Sequence, residues 1–376
     1  MKAYEEKVRH TLRHEGMQSV LDRSARYCAY RLKRAWMSKG ATEREWEALR
    51  GTRAGERAFL LGNGPSLNQT ELYLLGDEAT MCFNRFDLIL DRFEWFPTYF
   101  TVIDDRVLLD SIAEVNAISR VSGRSFFPDI HPYNIDFRPL IEKREDVQWL
   151  FLDRPDFSTD LPYCGINKTV ANVGLQILAY LGFTEIYLLG VDMTYSLPTT
   201  AKVDGSRNVT ATEDDDENHF DPRYFGAGRQ YHVPMLDETF LKFREARKFF
   251  DERGVSVRNA TVGGVLEEFE RISLDDVLQF TDEEKLGRLQ KAISARALSP
   301  DLSVEHLLST SRRVQAAEEV EPEWDAFLAG AEQCNEMVKR WVTRFVPFGP
   351  YKGQHVFVNR TLLGPAILAE HKSHRG

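Results

Sequence analysis

Apolar residues along this chain fall in short unbroken runs that stop abruptly at glycine, asparagine or aspartate. Ala58-Phe59-Leu60-Leu61 ends at Gly62-Asn63-Gly64, and Thr80-Met81-Cys82-Phe83 ends at Asn84-Arg85. Thr98 to Ile103 ends at Asp104-Asp105, and Glu185 to Leu189 leads into Gly190-Val191-Asp192. Short apolar runs without alternation mark strands buried on both faces, the pattern of parallel sheets. Arg124 to Phe127, Val147 to Phe151 and Val255-Ser256-Val257 are further strand candidates. Between them lie stretches with helical spacing, Val170 to Leu181 before Gly182 and Phe240 to Arg253 before Gly254. Glycine just past the last periodic residue is a helix stop. Strands alternating with helices over residues 56–280 predict an α/β fold with a doubly wound, mostly parallel, Rossmann-like sheet. In such sheets ligands sit beyond the carboxyl ends of the strands. Here those ends carry Asn63, Asn84, Asp104 and Asp192.

The flanks read differently. Residues 1–55 predict a helical segment in which Arg26, Arg31, Lys33, Arg34 and Lys39 interleave with Tyr27, Tyr30, Leu32, Trp36 and Met37. This segment either packs on the main domain or rests a basic, aromatic face on an anionic membrane surface. Residues 281–376 are rich in Ala, Glu, Arg and Leu, with helical patterning to about Arg344 broken at Ser299-Pro300 and Glu321-Pro322. They predict a helical appendage that dimerises, covers the acceptor side or touches a membrane. Residues 196 to 230 lack apolar periodicity and contain the acidic run Glu213 to Glu217. A loop of that length in a compact domain is usually functional or disordered, so a mobile lid is expected, with a solvated acidic loop as the alternative.

Composition narrows the class. The 376 residues, 43% of them hydrophobic, are enough for one large core or two modest ones. A formal net charge of -10 argues against general nucleic-acid binding. Cys28, Cys82, Cys164 and Cys334 lie far apart, without zinc-ligand or disulfide-framework spacing. That spacing points to a reducing compartment. No apolar run reaches membrane-spanning length and no signal-peptide core stands at the start, so a cytoplasmic location is expected, with peripheral contact at the inner membrane face left open.

The Gly62-Asn63-Gly64-Pro65-Ser66-Leu67 turn is the strongest chemical signal. A buried strand, a glycine turn and a helix start together make an anion pocket, because glycines admit a phosphate and free N–H groups point at it. Ser66 is a candidate N-cap, and Gln69 three residues later would complete a capping box. Asn63 and Asn84 offer neutral amides suited to ribose or phosphate oxygens.

Several segments together resemble bacterial CMP-sialic-acid-dependent sialyltransferases. They are Gly62 to Leu67, Cys82-Phe83-Asn84-Arg85-Phe86, Leu181 to Asp192, and His232 followed by Asp237. Asn218-His219-Phe220, Tyr224-Phe225-Gly226, Tyr231-His232 and Asn259 to Gly264 resemble the broader 6-hydroxymethylpterin diphosphokinase-like group, which includes nonulosonate transferases. The resemblance spans residues 58–280 and spares both ends. It implies a metal-independent glycosyltransferase that moves an acidic sugar, sialic-acid-like or Kdo-like, from a CMP donor to a surface-glycan acceptor. His232 is then the general base, with His219 a second candidate for that role. Tyr195 stabilises the departing phosphate beside Asp192, with Thr194 and Tyr231 behind it. Gly62, Asn63, Gly64, Ser66, Asn84, Asp104 and Thr194 hold the donor. No cofactor beyond the donor is implied, the partners being donor and glycan or glycolipid acceptor, with a second copy left open. The chain departs from the sialyltransferase pattern at Asp104-Asp105, where a neutral asparagine is expected, and at Thr194, which stands for a tyrosine. A second reading is an ATP- and Mg²⁺-dependent pyrophosphokinase with Asp104, Asp105 and Asp192 on the metal, although the chain has no Walker-type Gly-Lys-Ser/Thr. A third is a nucleotide-binding scaffold without catalysis.

Overall fold

The computed structural model describes residues 39–288 except 94, 132–134, 155, 166–167, 199, 204–207 and 286, together with scattered positions from 12 to 34, residue 291 and strands at 315–316, 341–346 and 354–359. The buried runs become β1 (Arg57–Leu61), β2 (Ala79–Phe83), β3 (Tyr99–Thr101), β4 (Arg124–Pro128) and β5 (Val147–Arg154). They are joined by β6 (Tyr163–Gly165), β7 (Glu185–Leu189), β8 (Ser256–Asn259) and β9 (Glu270–Arg271). These form one nine-stranded sheet in the order β9-β8-β7-β1-β2-β3-β4-β5-β6. Every neighbouring pair is parallel. The α/β, doubly wound architecture read from the sequence is therefore the one observed.

The chain winds from β1 out to β6, then returns to lay β7 on the other side of β1. Strand order thus reverses between β1 and β7, the place where open α/β sheets hold ligands. Arg57 pairs with Glu185 and Leu61 with Leu189, so the two strands end level. Their exits are stitched together: the Gly62 N–H donates to the Leu189 carbonyl at 2.7 Å and the Gly64 N–H to the Gly190 carbonyl at 2.9 Å.

Alternation along β1 feeds two cores. Phe59 and Leu61 face a cluster with Leu72 to Leu75, Phe86 and Phe100. Ala58 and Leu60 face the helices Val170–Leu181 and Leu236–Asp251 through Val173, Leu175, Ile177, Phe243 and Phe250. The first of these helices is capped by Thr169, whose side chain accepts from the Ala171 N–H, and stops at Gly182 in the left-handed region. Gly174 lets it lie against the sheet, since a Cβ there would stand 2.6 Å from the Phe83 ring.

The described part of the N-terminal segment packs on this domain. Buried Arg34 forms a two-pronged ion pair with buried Asp129 and lies 4.3 Å over the Phe151 ring. The Tyr30 hydroxyl donates to the Leu152 carbonyl at 3.1 Å. Of the rest of the expected membrane-facing set, Leu32 is exposed, Lys33 pairs with Asp136 at 3.0 Å and Lys39 lies 5.1 Å over the Tyr163 ring, while Arg26, Tyr27, Arg31, Trp36 and Met37 lie outside the described residues. Among the described residues no helix is long and apolar enough to cross a membrane.

Two segments differ from expectation. Helical patterning was expected as far as Arg344, yet Trp341–Val346 pairs antiparallel with Gln354–Asn359. Both strands are rich in β-branched and aromatic side chains, whose preference for a pleated surface prevails there. Gln315–Ala316 also pairs antiparallel with Gln354–Asn359, and the remainder of 292–376 lies outside the described residues. Residues 196–230 are not a structureless loop either. Lys202–Val203, Asn208–Thr210 and Gln230–His232 form a small antiparallel sheet. The segment is clipped to the domain: the Phe220 N–H donates to the Asn63 carbonyl at 3.0 Å, and Arg229 donates to Ser111 Oγ at 2.9 Å. The acidic run is not uniformly solvated, since Asp216 is buried.

Just beyond β4 lies His131, buried, stacked on Phe137 and 3.8 Å from an Asp105 carboxylate oxygen. Burial pushes its pKa down to about 4 against the pull of Asp104. A group whose folded pKa is depressed supplies stability above its unfolded pKa, about 6.5 for histidine, and loses it as pH falls toward the folded value. Acidification from pH 6.5 to 4 is therefore expected to remove about 3 kcal/mol through this imidazole. Urea midpoints of the wild type and His131→Gln across that range check this. The difference between the two proteins isolates His131 from neighbouring Asp105, whose pKa burial raises. Parallel curves would show that His131 contributes nothing to the acid limb.

Candidate active site

Beyond the paired ends of β1 and β7 lies a cavity of about 260 Å³. Its floor is the Gly62-Asn63-Gly64 turn with Gly190 to Asp192, and its sides are Phe83-Asn84 and the helix start Thr169-Val170-Ala171. The small sheet over 202–232 and its connections close it with Asn218, His219, Tyr224, Phe225, Tyr231 and His232. Gly62, Asn63, Gly64, Asn84, Asp192, Thr194, Tyr195, His219 and His232, all singled out from sequence, meet here. Ser66 and Asp104 do not line it.

Ser66 is not the N-cap. Gly64 takes that position before the short 3₁₀ turn Pro65–Gln69, and no side chain caps it, so Gln69 completes no capping box. Instead Ser66 grips Asp192: its N–H donates to Oδ1 at 3.2 Å and its hydroxyl to Oδ2 at 2.8 Å. The turn therefore already holds an anion, its own carboxylate. The amides of Gly62, Gly64, Ser66 and Leu67 all have internal acceptors and Pro65 has no N–H, leaving the Asn63 amide as the turn's unengaged donor among the described residues. The open phosphate cradle expected from the glycines is closed by a residue that lies far along the chain. Burial raises the Asp192 pKa, while the two Ser66 donors pull it down.

Asp104 is exposed and caps the helix Asp105–Asp110, accepting from the Arg106 and Val107 N–H groups at 2.9 and 3.1 Å. The three carboxylates that the pyrophosphokinase reading requires thus have separate tasks, Asp192 on Ser66, Asp104 on a helix start and Asp105 beside His131. Among the described residues no three His, Cys, Asp or Glu side chains converge as a metal-ligand set.

The two histidines differ. His219 Nδ1 lies 2.7 Å from Asp216 Oδ2. The same buried carboxylate accepts the Asn218 N–H at 2.9 Å and the Phe225 N–H at 3.2 Å. An ionised carboxylate takes a proton donor, so Nδ1 carries the hydrogen and Nε2 is left as the acceptor. The imidazole stacks on Tyr224 with ring centres 3.8 Å apart and planes 1° from parallel. His232 instead sits exposed at the end of Gln230–His232. Asp237 lies exposed in the first turn of the following helix, where its charge suits the helix start.

Among the described residues three oxygens of wall residues have no hydrogen-bond partner. The side-chain oxygens of Asn63 and Asn84 and the Tyr195 hydroxyl are closed to water and unbonded. Asn63 Nδ2 donates to the Tyr224 hydroxyl at 3.1 Å. Asn84 and Met193, both in the wall, hold φ of 53° and 57°, a strained region for residues with a Cβ. Such strain concentrates at functional sites. Tyr195 is half-buried beside Tyr231, and burial raises the pKa of both phenols.

Asp216, Tyr224, Thr169 and Met193 were not assigned roles from sequence. Asp216 was hidden in an acidic run, although an Asp three residues before a His was a usable signal. Thr169 before an apolar helix was another.

No protein-family model and no curated protein matches the chain. Among solved structures it is similar to the MAf glycosyltransferase from Magnetospirillum magneticum AMB-1, at 17% identity and TM-score 0.36, over 66% of this chain and 41% of that one. It is also similar to the sialyltransferase CstII from Campylobacter jejuni, solved with the substrate analogue cytidine-5'-monophosphate, at 10% identity and TM-score 0.36, over 58% of this chain and 86% of that one. The matched part thus spans less than half of the MAf protein. Likeness at this level assigns no function.

Proposed function

We propose that the cavity binds a CMP-activated acidic sugar and that the chain is a glycosyltransferase delivering that sugar to a glycan acceptor. The observation that carries this reading is the convergence of a carboxylate-held imidazole with two unpartnered asparagine oxygens and a helix start, all at the point where the strand order reverses. The first-turn amides of Val170–Leu181 and the helix dipole favour the donor phosphate. The Asn63 and Asn84 oxygens accept from ribose hydroxyls or the cytosine amine. Tyr195, with Thr194, donates to the phosphate as it leaves. His219 Nε2 takes the acceptor hydroxyl proton while Asp216 steadies the imidazolium that forms. As the acceptor oxygen bonds to the anomeric carbon, the bond from that carbon to the phosphate oxygen breaks and its electron pair departs with CMP. His232, at the rim, serves the acceptor side. The geometry thus favours His219 over His232 as proton acceptor.

Thermal unfolding with CMP, CTP, ATP and GTP, each with and without Mg²⁺, tests the ligand class. CMP alone is expected to stabilise the protein, by about 2.7 kcal/mol at a hundredfold excess over Kd. Indifference to CMP together with a Mg²⁺-dependent response to ATP would replace this reading by the pyrophosphokinase one.

A further inference from the structure

We infer that Tyr224 is the positioning residue of this site, its hydroxyl setting the amide of Asn63 and its ring setting the His219 imidazole. The residue is 1% exposed, with its hydroxyl 161 residues in sequence from Asn63. It reaches the cavity from a turn in which its own N–H donates to the Asp221 carbonyl at 3.0 Å. Its backbone carbonyl accepts from Arg85, the residue after Asn84. The ring is therefore fixed from both ends before any ligand arrives.

A primary amide presents a donor edge and an acceptor edge, and half a turn exchanges them. At Asn63 the donor edge is committed to the phenolic oxygen, so its own oxygen is turned elsewhere and stays unbonded. An unpaired buried acceptor is costly, and a ligand donor removes that cost. Tyr224 therefore leaves an unsatisfied acceptor rather than a donor at Asn63, which suits a ligand bearing a hydroxyl or amine hydrogen at that point. The same ring lies face to face on His219, so a group that receives the nucleotide and the group that receives the proton share one support. The link to sugar transfer rests on the function proposed above, whereas the positioning of Asn63 does not.

Tyr224→Phe keeps the stack and deletes the hydroxyl. By calorimetry, CMP affinity is expected to fall about tenfold, as for loss of correctly placed hydrogen bonds. In turnover with CMP-sialic acid, the larger share of the loss falls on donor KM rather than kcat. In an Asn63→Ala background the same substitution is expected to cost nothing further, because its effect passes through that side chain. Unchanged CMP affinity in Tyr224→Phe, or full additivity in the double variant, overturns the inference. A ligand-free readout keeps the two claims separable. In asparagine-labelled protein, the side-chain amide hydrogens of Asn63 are expected to exchange faster in Tyr224→Phe than in wild type. Should wild type ignore CMP, the transferase reading falls, while unchanged amide exchange would still refute the role of Tyr224. Circular dichroism of each variant separates local effects from loss of fold.

Discussion

His219→Gln is expected to cut sugar transfer by about 10²–10⁴-fold, the usual contribution of a positioned proton acceptor. CMP affinity should change little in the same variant. Glutamine keeps a polar side chain of similar reach but does not accept a proton at neutral pH. The case for this residue is geometric. Asp216 is buried and its carboxylate is fastened by two backbone amides, so it does not swing away from Nδ1. The ring is then clamped between that carboxylate and Tyr224. His232 stands exposed at a strand end, and His232→Gln is expected to lower transfer far less. Initial rates with a CMP-sugar donor, alongside CMP calorimetry, decide it. Full activity in His219→Gln with loss in His232→Gln would hand the role to His232, as the family resemblance implies.

Gly64→Val should destabilise the protein and abolish CMP binding together. A Cβ at Gly64 would stand 1.8 Å from Asp192 Oδ2 and 2.8 Å from the Gly190 carbonyl oxygen. Neither neighbour has room to give. Asp192 is held by Ser66, and its backbone carbonyl is tied to the Val265 N–H at 2.8 Å. Gly190 carries the stitch between β1 and β7. Admitting the side chain expels the carboxylate from its two donors, leaves a buried charge poorly paired and wedges the strand exits apart. Overpacking and loss of charge-assisted hydrogen bonds together are expected to cost about 3–5 kcal/mol. Gly287→Ala, where an added Cβ meets nothing within 4 Å, is the matched control. Urea midpoints and CMP titration of both variants check the contrast. Wild-type stability in Gly64→Val would show that the turn tolerates what its geometry forbids.

Much of the site was legible because a parallel sheet delivers every strand end to one edge. A polar residue directly after a buried run therefore lands at that edge without further information, as Asn63, Asn84 and Asp192 do. The same logic misplaced Asp104, whose strand β3 stands two places from β1, away from the reversal. Ser66 failed for another reason. Its pattern is that of a cap, but a carboxylate 126 residues later fills the turn, and no local signal carries so distant a contact. The small sheet over the cavity was invisible because strands of two or three residues are too short for periodicity to register. Tyr224 and Asp216 came into view only once that sheet placed them against Asn63 and His219.

A crystal structure of the protein grown with CMP tests the central claim most directly. The account predicts the phosphate against the Thr169–Ala171 helix start and the nucleoside beside Asn63 and Asn84, with Asp192 still on Ser66. CMP lodged away from the ends of β1 and β7, with the cavity between them unchanged, would contradict it.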